Sequence, residues 1–157
     1  MSYSLQTFSV GQILTASEMN LIDAELADIS AGWTTPTFAA GDFTTSGSMT
    51  WTVEAANVVT YKYIIIGNTM IVSVSIASST VGGTLSNTLS VAIPASKVAT
   101  NNTQTVGVLF DNGTEQACRI SVAPSGTIIA INKIPNANYS AATNNTLVVF
   151  TMAFEIN

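Results

Sequence analysis

Asp111 and Glu115 are the two carboxylates that a single hairpin turn, Asp111-Asn112-Gly113-Thr114-Glu115, could bring together. A pair of carboxyl groups flanking one bond is what glycoside hydrolysis needs, one as acid and the other as base or nucleophile. The local chemistry favours a plainer role, because Asp is a turn former and a Glu at a strand start is normally solvated. A carbohydrate-cleaving enzyme is therefore a rival reading that rests on these two residues alone. The chain contains no His, which removes Ser-His-Asp and Cys-His sites. It holds neither GxxxxGK[ST] nor GxGxxG, and Gly82-Gly83 reads as a turn. The one Cys, Cys118, falls on an alternating apolar row and reads as a small core residue. A lone thiol makes no internal disulfide and no thiolate-based zinc site. Outside the helix discussed below, no stretch groups the carboxylates of a calcium loop. No catalytic residue, cofactor or metal ligand is assigned.

The loop from Lys133 to Asn145 is rich in amides and holds a single aromatic, Tyr139. A ring with an apolar face and a polar tip, beside Asn side chains, could contact a glycan. The competing reading has Tyr139 folding over the edge of the β-body and sealing the core. Asn101, Asn112, Asn138 and Asn144 each begin an N-x-[ST] triplet. With no secretion signal expected, they read as turn residues.

The elements that must position these residues are set by composition and periodicity. Only 8% of the 157 residues are charged and 47% are hydrophobic, with a net charge of −5. That balance excludes intrinsic disorder. No run approaches the ~18 apolar residues of a membrane-spanning helix, so no membrane insertion is expected. Four cations, Lys62, Lys97, Arg119 and Lys133, cannot neutralise a phosphate backbone, so nucleic acid is not an expected partner. Ser, Thr and Asn make up about a third of the chain. A surface of hydroxyls and amides keeps molecules apart poorly, which hints that much of it meets other protein.

Two regions follow, residues 1–32 and 33–157. In the first, the spacing predicts one helix over residues 15–31. Thr15-Ala16-Ser17-Glu18 is a capping box, Leu14 and Met19 occupy the positions of a hydrophobic staple, and Gly32 is a natural stop. Met19, Ile22, Leu26 and Ile29 form one narrow stripe. A helix this short needs a partner surface. Burying each stripe residue is worth roughly 1.5–3 kcal/mol. Leu14, Met19, Ile22, Leu26 and Ile29 are thus the candidate oligomerisation or docking residues. The partner is either the chain's own body, further copies, or a larger assembly. Four acids without an intervening cation, Glu18, Asp23, Glu25 and Asp28, favour a basic socket over a bundle of copies.

From Trp33 onward the period becomes two. Met49, Trp51 and Val53 alternate with Thr50 and Thr52, and the same period, with its apolar row expected inward, runs through Met70 to Ile76, Val106 to Phe110, Cys118 to Val122 and Val148 to Ile156. Gly67-Asn68, Asn112-Gly113 and Ser125-Gly126 supply the turns. About eight antiparallel strands are expected, giving a mainly β fold, a sandwich of jelly-roll type after one short helix. Tyr61 to Ile66 is apolar on both faces, which suggests a subunit interface or cover by the N-terminal segment.

Three stretches carry a resemblance. Gly11-Gln12-Ile13-Leu14-Thr15-Ala16-Ser17-Glu18-Met19-Asn20 is similar to the G-x-[VI]-L-T-A-x-x-[LM]-N opening of many bacteriophage fibre and minor structural proteins. Ser46 to Val53 resembles the strand that begins the following β-domain. Tyr61 to Ile76, followed by Leu89-Ser90-Val91-Ala92-Ile93-Pro94, resembles a pattern of fibre and spike domains. The chain lacks shaft repeats, so any fibre it builds is short or one piece of a larger one. The resemblance implies a homotrimer in the virion, assembled in the host cytoplasm, with residues 1–32 attached to capsid or tail and the β-domain outward. The expected function is a non-enzymatic virion component: a short fibre, a spike or a capsid decoration protein. The alternative is a host-attachment adhesin that binds surface glycan.

Overall fold

The computed structural model describes residues 15–17, 19–20 and 32–157. It is mainly β and antiparallel. Nine strands follow in chain order: β1 (Phe43–Thr45), β2 (Met49–Thr52), β3 (Val58–Ile66), β4 (Thr69–Gly83), β5 (Thr88–Ala92), β6 (Thr103–Asp111), β7 (Thr114–Val122), β8 (Ile128–Lys133) and β9 (Ala142–Glu155). They share one sheet in the order β1-β5-β8-β7-β6-β9-β4-β2, with β3 also on β4. The two ends of that path, β1 and β2, are joined directly by the turn at Ser46–Ser48, so the sheet is nearly closed into a barrel.

The longest strands, β4 and β9, form the spine. They pair from Thr69 opposite Glu155 to Ile76 opposite Val148. Alternation sends Met70, Val72, Val74 and Ile76 of β4 inward to meet Val148, Phe150, Met152 and Phe154 of β9. The step is lost after Ile76, where Ser78 takes a φ of 55°. There the far edge of β4 changes partner: residues 69–76 pair with β3 and residues 80–83 with β2. Ser79 holds this bulge. Its Oγ accepts from the Trp51 indole at 2.9 Å and donates to the Thr146 carbonyl at 2.9 Å.

The seam opposite the spine is closed by side chains. Phe43 stacks on Phe38 at 6.0 Å and meets Trp51 edge-on at 5.6 Å. Tyr61 of β3 reaches across to donate to the Ala92 carbonyl of β5 at 2.9 Å.

One inward row differs from the expectation. Val106, Val108 and Phe110 were expected inside, yet Gly107, Leu109 and Asp111 are the buried residues of β6, and Val106 is 66% exposed. A shift of one residue exchanges the two faces of a strand. The reason lies on other strands. A Cβ at Gly107 would stand 2.8 Å from the Val149 carbonyl, so only glycine fits under β9, and Asp111 has a buried cationic partner.

Candidate functional site

Of the expected docking residues, the described part contains Met19. Ala16, Ser17, Met19 and Asn20 are helical, the Met19 amide donates to the Thr15 carbonyl at 3.0 Å, and Met19 is exposed. Leu14, Glu18, Ile22, Leu26 and Ile29 lie outside the described residues.

The chain joins the β-body at the free edge of β3. Thr34 and Tyr63 exchange both backbone hydrogen bonds, at 2.7 and 2.9 Å. Beside them the Lys62 ammonium sits 4.8 Å from the centre of the Trp33 ring, a cation–π contact. The two-sided apolar reading of β3 corresponds to Tyr63, Ile64 and Ile65, all half-buried, and to an exposed Ile66. Ile64 faces outward with its partner Ile71 of β4.

The carboxylate pair is not assembled. Asp111 pairs with Thr114 and Phe110 with Glu115, so Asp111 points into the body while Glu115 stands on the outer face. Asp111 is engaged instead in a buried polar cluster. Its Oδ2 accepts from Lys133 Nζ at 2.8 Å and from Ser140 Oγ at 2.9 Å, and its Oδ1 accepts from the Ser140 amide at 2.9 Å. These donors satisfy both carboxylate oxygens, which a buried charge requires.

Tyr139 belongs to the same cluster. It is 1% exposed, its hydroxyl donates to the Ile131 carbonyl at 3.0 Å, and Lys133 Nζ lies 5.5 Å from its ring centre. The ring is core and presents no face to a glycan, because the Asp111–Ser140 bonds draw the loop inward over the end of the body. Cys118 is fully buried, and burial pushes its thiol up to about 11.

Two of the depressions on the outer surface are lined by described residues. One, of about 480 Å³, follows the seam past Pro36, Asp42, Tyr61, Pro94 and Lys97. The other, of about 350 Å³, lies on the outer face of β6, β7 and β8. Its floor is Ser121 and Ala130, which are cross-strand partners, and its rim is Asn102, Gln104, Arg119 and Ile128. No sequence pattern marks this second depression, since its residues come from three strands and the loops beside them. Its nearest signal was Arg119, one of only four cations. Among the described residues no group of His, Cys, Asp and Glu has the geometry of a metal site.

No family model, curated protein or solved structure matches the chain.

Proposed function

We propose that this chain is a non-enzymatic structural component of a bacteriophage virion. It would be a short fibre, spike or decoration protein that trimerises, attaches to the particle through residues 1–32 and projects a jelly-roll-type β-body. The observation that carries the reading is the outer surface around the point where the chain enters. There, among the described residues, the outer edge of β3 is joined only by the Thr34–Tyr63 bridge, and Ile64, Ile66 and Ile71 stand on the outer face beside it. An open apolar edge strand invites association, and it carries a single charge, Lys62. Such a surface, next to a segment patterned to dock, suits a subunit in an assembly.

Light scattering on the purified full chain tests this. A mass three times that of one chain is the expected result, with Leu26→Asp lowering it or abolishing attachment to particles. A stable monomer that binds no particle overturns the proposal. Where the trimer and its attachment are found, electron microscopy of intact particles locates the chain on head or tail.

A further inference from the structure

We propose that the depression on the outer face of β6–β8 is a binding site for a carboxylated sugar of the hexuronate class. Four observations converge there.

The first is an uncommitted guanidinium. Among the four cations, Lys133 is paired with Asp111, Lys62 lies over Trp33, and Lys97 reaches the Asn157 carbonyl at 3.5 Å. Arg119 is exposed and makes no ion pair or side-chain hydrogen bond among the described residues. Its cross-strand neighbours, Val106 and Asn132, are uncharged. The Asn132 amide is already spent on the Asn87 carbonyl and the Thr88 hydroxyl. Glu115, the other charged residue on that row of β7, is four positions away, roughly 13 Å along a strand. Arginine in such a setting binds a planar carboxylate through two parallel hydrogen bonds.

The second is shape. Small side chains at Ser121 and Ala130 leave a dip of about 350 Å³ between taller neighbours. That is the lower end of small-molecule sites, which run ~300–1,000 Å³.

The third is the polar lining. Asn102, Gln104 and Ser121 offer amides and a hydroxyl that both donate and accept, the complement of a ring carrying several hydroxyls. The fourth is the opposite wall. Ile128 is 45% exposed and, with Ala130, gives an apolar strip for the C–H face of such a ring.

The site stands apart from the fibre reading, because it requires neither a trimer nor a particle. Saturation-transfer NMR on the full chain tests it, with glucuronate as the probe, glucose as the neutral analogue and acetate as the bare anion. Glucuronate is expected to receive saturation at millimolar concentration and glucose much less. Arg119→Gln should weaken glucuronate about tenfold, the loss of one charge-assisted pair. Ile128→Glu, which leaves Arg119 in place but sets a carboxylate on the opposite wall, should abolish binding. Both positions are exposed, and circular dichroism checks that the fold is kept. Absence of transfer from glucuronate overturns the proposal, as does an Arg119→Gln chain that binds it undiminished. Displacement by acetate at equal concentration reduces the site to an anion contact and also overturns it. So does an Arg119→Gln chain that changes its mass in solution instead of its sugar binding, since the face would then be a subunit contact.

Discussion

Lys133 Nζ lies 2.8 Å from Asp111 Oδ2, and both side chains are at least nine-tenths buried. The two residues end β8 and β6, which are not neighbours but flank β7 on either side. Their pairing therefore locks three strands at the end of the body where Tyr139 packs. The same carboxylate takes the Ser140 amide and hydroxyl, so one buried anion sets both the strand ends and the loop that covers them.

Removing one partner of this pair should cost far more than removing both. Lys133→Met leaves an uncompensated carboxylate in the core and is expected to destabilise by about 3–5 kcal/mol. Asp111→Leu strands the ammonium at a similar cost. The double variant, with apolar groups in both places, should recover much of the loss, although Ser140 keeps an unpaired amide. Urea midpoints for the three variants check this. A loss in the double equal to the sum of the two single losses would show that the pair is not coupled.

Gly107→Ala is the expected weak point of the spine. The new Cβ would stand 2.8 Å from the Val149 carbonyl, 3.1 Å from Phe150 Cβ and 3.2 Å from Cys118 Sγ. Two of those neighbours belong to β9, so the strand has to move, at about 1–3 kcal/mol for overpacking. At Gly113 the closest atom is Asn145 Nδ2, the flexible end of an exposed side chain, and the strain of Gly113→Ala comes from its φ of +79°. Thermal melts should place Gly107→Ala below Gly113→Ala. The reverse order would mean that β6 and β9 can separate freely.

Ser79→Ala should unsettle the bulge where β4 changes partner. It removes the acceptor of the Trp51 indole and the donor to the Thr146 carbonyl, both in the buried interior. Each orphaned group costs about 1–3 kcal/mol. Ser79→Thr keeps the hydroxyl and should retain part of the stability. Fluorescence in a Trp33→Phe background, where Trp51 is the one indole left, reports the outcome: a red shift in the folded Ser79→Ala chain means that water has entered, and an unchanged spectrum with unchanged stability sinks the assignment.

How much of this was legible beforehand follows from where each determinant sits. Met70, Val72, Val74 and Ile76 announce their strand because the pattern is local and its polar partners are Ser. Asn112-Gly113 announces its hairpin because positive φ at both residues is a local demand. The inward face of β6 was not legible. Valines at Val106 and Val108 look like core, but the choice is made by Lys133 and by the approach of β9 at Val149, both far along the chain. Tyr139 was ambiguous for the same reason: only the Asp111–Ser140 contact decides that the loop folds inward. The Arg119 depression is less legible still, because its floor and rim are drawn from separate strands. An arrangement made by register leaves no spacing to read.

Alkaline pH should unfold the protein through its buried acids. The Cys118 thiol is raised from 9.0 to about 11 by burial, against a smaller pull from the Gly107 backbone. The hydroxyls of Tyr61 and Tyr139 are raised well above their ordinary 10.0, by burial first and then by neighbouring charge. In the unfolded chain these groups release their protons near their ordinary values, whereas the folded chain keeps them. The unfolded state then binds fewer protons, so stability falls as pH rises, by up to ~1.4 kcal/mol per pH unit for each group. Stability is fully present below about pH 9, begins to fall as the unfolded thiol ionises, and falls faster once the unfolded tyrosines follow from about pH 10. Urea midpoints measured across that range check the slope. Cys118→Ala should remove the first part of the fall and leave the second. Tyrosinate absorbance from Tyr61 and Tyr139 should appear together with loss of the β circular dichroism signal, and a midpoint that stays flat through pH 11 would contradict the burial of all three groups.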